Sequence, residues 1–352
     1  MEQQHRGKSR FAGRLDLKRG AVDMSHGSGG RAMAQLIDEL FRRHLDNALL
    51  AQCNDQALFR PPEGRLAIST DGHVISPLFF PGGDIGCLAV HGTINDVAMC
   101  GARPLYLAAG FILEEGLPLA DLERIVASMA RAANAARVPV ITGDTKVVER
   151  GKGDGCFITT TGVGVVADGI EISGDRAAPG DTILLSGSIG DHGVAIMSKR
   201  ENLGFETEIA SDTAALHELV ATMIAAVPDI HCLRDPTRGG LATTLNELAL
   251  QSGVGMQIRE EAIPIRPEVA AACELLGLDP LYVANEGKLV AMCPGDRAGA
   301  LLSAMQAHPL GRDAAIIGQV IADPHHFVQM ETSFGGGRIV AWLAGEQLPR
   351  IC

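Results

Sequence analysis

Two stretches in the first half of the chain repeat apolar residues at a helical interval. Met33, Leu36, Ile37, Leu40 and Phe41 follow the i, i+3, i+4, i+7 spacing of one buried helix face, and Leu122, Ile125, Val126, Met129 and Ala133 do the same. Short apolar runs with strand character lie at about 65–70, 104–113 and 156–166. This alternation predicts an α/β (α+β) fold. Residues 168–181 are rich in turn formers and introduce the apolar strand Thr182 to Leu185, which places a domain boundary there. Beyond it the pattern resumes, with helices at about 237–251 and 268–276 and strands near 288–293 and 314–321. The expected organisation is an arm over 1–24, a first α/β domain over 25–168, a second over 169–343 and a mobile tail over 344–352. No short-period repeat is visible.

Composition narrows the partners. The 352 residues include 30 basic and 42 acidic side chains, a formal charge of −12. Such a field repels phosphate backbones, so no nucleic acid is expected as a partner. Aromatics make up only 4% while glycines number 42, which suits helices packed closely on sheets better than a surface for stacking bases. No apolar run approaches the ~20 residues of a membrane span, so no membrane is expected, and residues 1–20 lack the apolar core of a signal peptide. The eight cysteines (53, 87, 100, 156, 232, 273, 293, 352) form no C-x-x-C pair and no zinc-type spacing. A cytoplasmic protein without a disulfide framework is expected. Six of the first 19 residues are Lys or Arg, interrupted by Glu2 and Asp16, which reads as a solvated arm.

Chemistry-bearing residues cluster beside glycine. His26-Gly27-Ser28-Gly29-Gly30 forms a flexible loop that opens the first helix. Asp71-Gly72-His73 ends a strand, Gly82-Gly83-Asp84-Ile85-Gly86 opens a helix, Asn95-Asp96 follows on it, and Gly143-Asp144-Thr145-Lys146 ends the apolar run Val138 to Thr142. Carboxylates at element ends are placed to hold Mg²⁺ through oxygen, and a lysine among them pairs with a phosphate that the metal bridges. Any one cluster, taken alone, reads as ordinary turn chemistry. Four in succession favour metal and phosphate. No P-loop exists, and Gly162-x-Gly164-x-x-Ala167 closes a strand without the helix that would receive a pyrophosphate. In the second half, Arg234-Asp235-Pro236-Thr237-Arg238-Gly239-Gly240-Leu241 leads into a helix whose bare N–H groups suit an anion. Asn285-Glu286-Gly287-Lys288 precedes a strand.

The chain ends Leu348-Pro349-Arg350-Ile351-Cys352. Pro349 fixes its own φ and biases Leu348 towards an extended conformation, so the tip is expected to project as a swinging arm. A thiol there suits a carrier, because thiolates attack acyl-type groups. The neighbouring α-carboxylate and the acidic excess raise the thiol pKa and Arg350 partly offsets them, so its reactivity is expected to need a partner's site. Taken alone, such a residue reads as a frayed end.

The order HGSGG, STDGHV, GGDIG, HGTINDVAMCGARP, ITGDTKVVERG, RDPTRGGLATTLNE, NEGKLV and PRIC resembles the HypE family of hydrogenase maturation factors over residues 15–352. That family sits among the aminoimidazole ribonucleotide synthetase-like ATP enzymes, with selenophosphate synthetase and formylglycinamidine synthetase. The internal motifs mark the superfamily, and the last cysteine separates HypE from its relatives. The resemblance implies a two-domain synthetase-like fold with a flexible C-terminal tail. It implies a carbamoyl group loaded onto Cys352 by the carbamoyltransferase HypF, then dehydrated with ATP to a thiocyanate. The cyano group would pass to iron on the HypC–HypD complex for the Fe(CN)₂CO centre of [NiFe] hydrogenase. By this resemblance Asp71, Asp84, Asp96 and Asp144 are metal and phosphate-side residues for Mg²⁺-ATP, and Lys146 contacts the transferring phosphoryl group. Gly27, Gly29, Gly30, Asn95, Gly143, Arg238 and Gly239 are expected around the nucleotide, with Gly27 to Gly30 folding over it. Glu286 is the candidate base and His91 the second. Glu286 pairing with Lys288 or Arg238, and His91 as a hydrogen-bonded core histidine, are the alternatives. The superfamily further implies a homodimer that pairs its N-terminal sheets and builds ATP sites across the interface.

Three other readings stand beside this one. A related synthetase of purine-pathway or selenophosphate type would act on a diffusible amide or carbonyl oxygen and have no need of Cys352. An inactive nucleotide-binding carrier would bind ATP without turnover. A structural partner in a maturation complex would bind no nucleotide at all.

Overall fold

The first amphipathic stretch folds as helix α1 (Arg31–Leu36), a single π turn (Ile37–Phe41) and helix α2 (Arg42–Leu45), with Leu36, Leu40, Phe41 and Leu45 on the buried face the spacing predicts. In the computed structural model, residues 11, 13–54, 56–201, 209–345 and 350–352 are described. The expected Pro349 and Leu348 geometry lies outside them.

The N-terminal lobe continues through β1 (Arg65–His73), β2 (Phe79–Phe80), β3 (Gly83–Asp84), α3 (Ile85–Ala98), β4 (Arg103–Glu114), α4 (Leu119–Ala136), β5 (Val140–Val148) and β6 (Cys156–Val166). Its main sheet has the order β1-β6-β4-β5. The first two pairings are antiparallel, while β4 and β5 are parallel, joined through α4 as a parallel pair requires. Leu107, Phe111 and Leu113 share a core with Ile94 of α3 and with Leu122, Ile125 and Met129 of α4. The opposite face leaves Leu66 and Ile68 exposed, at 60% and 74%, and β1 and β5 are the two edges of this sheet.

Register decides which face each strand residue occupies, because side chains alternate. Asp71 aligns with Thr160, Thr160 with Ala109 and Ala109 with Gly143, all on the helix side. Gly110 aligns with Asp144 and Ile112 with Lys146, on the outer face. The sequence places a strand end at Thr142, but pairing with β4 carries the strand on to Val148. Asp144 and Lys146 are therefore mid-strand residues.

The C-terminal lobe contains β7 (Asp181–Leu185), α5 (Asp191–Arg200), α6 (His217–Ala226), β8 (Cys232–Arg234), α7 (Gly240–Ser252), β9 (Gly255–Arg259), α8 (Pro267–Leu276), β10 (Val290–Pro294), α9 (Ala298–Ala307), β11 (Ala315–Ile321), β12 (Val328–Glu331) and β13 (Gly337–Ile339). They build a sheet ordered β13-β12-β9-β11-β7-β10-β8. Ile183 and Leu185 of β7 pack with Leu241, Leu245 and Leu248 of α7, while Leu184 packs with Leu219 of α6 and Leu301 of α9. Burial on both faces explains why this strand reads as an unbroken apolar run. The lobes share a core in which Ile85 and Leu88 meet Val194 and Ile196 of α5, Val269 of α8 and Ile351.

Candidate active site

Where the lobes meet, four carboxyl groups converge. Asp71 comes from the end of β1, Asp96 from α3, Asp235 from the turn before α7 and Glu286 from the turn before β10. Helix α3 approaches β1 so closely that a Cβ at Gly92 would sit 3.1 Å from His73 Cε1, 3.5 Å from Asp71 Oδ2 and 4.0 Å from Glu286 Oε2. A glycine is what lets these groups face one another. Ser69 Oγ donates to Asp96 Oδ2 at 2.9 Å, and the Gly72 N–H donates to Asp71 Oδ1 at 2.8 Å. Buried His73 sits 3.8 Å from Asp71 and shares a hydrogen bond with Thr160.

Crowded acids resist ionisation. Burial, reinforced by Asp96 and Asp71, pushes Asp235 up to about 7. Glu286 is raised well above its ordinary value by burial and then by Asp235, Asp212, Asp71 and Asp96, and its Oε1 has no hydrogen-bond partner among the described residues. Burial and Asp71 also raise Asp96, while Ser69, Arg234 and Arg238 oppose them.

Beside this cluster lies a cavity of about 320 Å³ lined by Gly72, Val74, Arg238, Gly239, Tyr282 and the last three residues. The tip is seated here, and Ile351 is only 4% exposed. Burial first, then Glu286, Asp71 and Asp235, hold the Cys352 thiol well above its ordinary pKa, against Arg238. Helix α7 opens at the same place, with Gly239 in a left-handed turn and no side chain capping the first N–H groups.

A second cavity, of about 720 Å³, lies at the other edge of the sheet. Met33, Ile37 and Phe41 line one wall and Thr142, Gly143, Asp144 and Thr145 the other. The loop Gly27 to Gly30 leans on this strand, since a Cβ at Gly27 would come within 2.6 Å of the Val147 nitrogen. Lys146 Nζ pairs with Asp144 at 2.8 Å. Edge to edge, β1 and β5 stand three strand spacings apart, roughly 14 Å.

The structure thus sets Asp71, Asp96 and Glu286 beside the cavity that Arg238, Gly239 and Cys352 line, and places Gly143 and Asp144 in the wall of the other, while Gly27, Gly29, Gly30 and Lys146 line neither. Three expected site residues have other partners. Asp84 caps α3, its Oδ1 accepting from Gly86 and Cys87 N–H at 2.8 and 3.2 Å. Asn95 spends its amide on main chain, donating to Ala214 O and Glu286 O and accepting from Leu216 N–H, so it braces Glu286. His91 bonds Thr213 and is pushed down to about 4 by burial and His217, on the flank of α3 towards α6. Lys288 pairs with Asp212 rather than with Glu286, and Asp212 also accepts the Glu286 N–H. Sequence reasoning missed Asp235, His73 and Asp212. Asp235 lay inside a quoted motif; Asp212 carries no local signal.

Two carboxylates could hold a Mg²⁺ here. Among the described residues no three His, Cys, Asp or Glu side chains form a metal cage. Mg²⁺ is usually held by one or two carboxylates plus substrate phosphates, and Asp71 and Asp96, each crowded by other acids, are the two that could serve as such a pair. Asp71→Ala and Asp96→Ala are therefore expected to weaken Mg²⁺-ATP binding at least tenfold by calorimetric titration. Asp84→Ala should leave that affinity unchanged and cost about 1 kcal/mol of stability, the loss of an N-cap. Equal affinities for all three variants would reject this division.

Comparison with known proteins agrees with this architecture. Residues 53–166 match AIR synthase related protein, N-terminal domain, and residues 178–331 match AIR synthase related protein, C-terminal domain. The chain is similar to carbamoyl dehydratase HypE of Azotobacter vinelandii, at 74% identity over 339 residues, 96% of this chain and 99% of the relative. A crystal structure of hydrogenase maturation protein HypE in complex with ATP is 53% identical, with a TM-score of 0.90 over 94% of this chain and 99% of that one. A chain in a crystal structure of a HypE–HypF complex is 48% identical, with a TM-score of 0.78 over 88% of this chain and 99% of that one. With both lobes matched and three quarters of the residues shared with one relative across nearly its full length, the chain belongs to the HypE family of AIR synthase-related proteins.

Proposed function

We propose that the chain is an ATP-dependent dehydratase that converts an S-carbamoyl group on its own Cys352 to a thiocyanate. The observation that carries this reading is the seat of Cys352 beside Glu286, whose Oε1 lacks a partner among the described residues, with Asp71, Asp235 and Arg238 around the thiol. A buried carboxyl with an open oxygen beside the thiol is placed to take an N–H proton from a group on that sulfur. ATP supplies the phosphoryl group that turns the carbamoyl oxygen into a leaving group. Loss of phosphate and of both N–H protons leaves S–C≡N, a net loss of one water from the tail.

The chain's own residues divide the work. Arg238 and the uncapped start of α7 offer positive charge to the departing phosphate. Glu286, braced by Asn95 and by Asp212, accepts a proton. The pocket favours a neutral S-carbamoyl group and disfavours a thiolate, because burial first, and then its acids, raise the thiol pKa. Loading, which needs the thiolate, therefore belongs outside it, on the partner HypF, and the tip Arg350 to Cys352 would leave the pocket for that step. The cyano group then goes to iron on HypC–HypD.

The exposed outer sheet face and the two edge strands support a homodimer. Leu66, Ile68 and Ile112 stay exposed in one chain, and edges are usually paired or covered. Pairing N-terminal sheets would set β5 of one copy beside β1 of the other, which brings Lys146 and the large cavity of one towards Asp71 and Glu286 of the other. All eight cysteines are free thiols, which supports a cytoplasmic setting. Among the described residues no helix is long and apolar enough to cross a membrane.

Intact-protein mass tests the reaction. Incubation with the carbamoyl donor system should add one carbamoyl group, and ATP should then remove one water from the adduct. An adduct that persists unchanged while ATP is consumed would reject the dehydratase reading.

A further inference from the structure

The last three residues are recognised through their main chain. The Ser76 N–H and Arg200 Nη2 donate to the Arg350 carbonyl at 3.3 and 2.9 Å. His192 Nε2 bonds the Ile351 carbonyl at 2.8 Å, and the Val74 N–H donates to the Cys352 carbonyl at 2.9 Å. Every carbonyl of the tip is thus engaged, by the chain leaving β1 on one side and by α5 on the other. One side chain reads sequence. Ile351 enters the shared core, while the Arg350 guanidinium reaches Asp154 at the surface.

His192 is fixed for this task. A carbonyl oxygen only accepts, so Nε2 carries the proton and Nδ1 accepts from the Ser211 hydroxyl at 2.7 Å. The ring is fully buried, edge-on to Phe80. Ser211 is also tied to Pro81 O through its own N–H, and the next residue, Asp212, accepts the Glu286 N–H. One short segment therefore sets both the imidazole that holds the tail and the main chain of Glu286.

We propose that His192 is a positioning residue which, with Arg200 and the Val74 to Ser76 main chain, clamps the tip and sets Cys352 against Glu286, Ile351 fixing the register. This rests on the dehydratase reading for its purpose, but the docking itself does not. The amides of Val74 and Ser76 report it directly, since their acceptors belong to the tip.

The test is hydrogen–deuterium exchange of the full-length chain without ATP or carbamoyl donor, with a chain lacking residues 350–352 as the undocked reference. His192→Phe keeps a ring and removes the donor. Exchange at Val74 and Ser76 should rise about tenfold, as loss of one net hydrogen bond of about 1.4 kcal/mol gives, while β4 exchanges as before. His192→Gln, which restores a donor, should recover most of the protection. If His192→Phe loses its native fold, Ser211→Ala and Ile351→Ala carry the same readout. Wild-type protection at Val74 and Ser76 in these variants, or wild-type exchange no slower than the reference, would overturn the clamp. In carbamoyl-loaded protein His192→Phe should slow water loss at least tenfold with ATP affinity unchanged. A clamp confirmed by exchange but with no effect on that rate would leave docking standing and reject its link to the reaction.

Discussion

An alanine at position 352 should give a chain that folds, binds ATP and never acquires the carbamoyl adduct. The substitution removes one sulfur from a partly buried side chain at the rim of the shared core and keeps the carbonyl that Val74 bonds. The expected stability cost is below about 1 kcal/mol. Deleting Cys352 alone should likewise abolish the adduct but also removes the carbonyl that Val74 bonds, about 1 kcal/mol more, whereas removing Ile351 as well uncovers apolar core, because the tip is packed rather than frayed. Adduct mass, calorimetric ATP affinity and a thermal melt together make the measurement. If the alanine variant still gains the adduct, the carrier assignment fails and Cys53, the exposed cysteine, is the next thiol to examine.

Much of the fold was legible because its signals are local. Period-3.6 spacing marked α1, α2 and α4, and unbroken apolar runs marked β4, β6 and β7. The site was harder, since its members come from opposite ends of the chain and only pairing register decides which face each one occupies. Asp144 and Lys146 sit beside glycine just as Asp71 does in sequence terms, yet strand parity turns them to the other side of the sheet. Asp84 followed a glycine pair for the ordinary reason that helices want a capping carboxylate. Asp212 and His192 had no motif at all; their importance arises from a segment that packs against Pro81 and from a tail returning some 150 residues later.

Lys146 and Glu286 are expected to fail differently and to rescue each other. Lys146→Ala should leave carbamoyl loading intact and cut phosphate release by roughly 10²–10³, the scale of losing one charge-stabilising donor. Glu286→Gln keeps the shape and removes the base, so water loss should fall by roughly 10²–10⁴ with ATP binding little changed. The pH profile has a sign. Glu286 is raised well above the usual carboxylate range, and only its ionised form accepts a proton, so the parent rate should climb with pH through that raised pKa and the glutamine variant should lose this limb. Single-turnover phosphate release and tail mass, read together, separate the two defects. If each site joins Glu286 of one copy to Lys146 of the other, an equal mixture of the two variants, exchanged into mixed dimers, should regain about a quarter of the parent capacity, since half the dimers are mixed and each holds one intact site. No recovery in verified mixed dimers would confine the site to a single chain, and parent-rate water loss by Glu286→Gln would pass the role of base to Asp235, whose carboxyl lies in the same cluster.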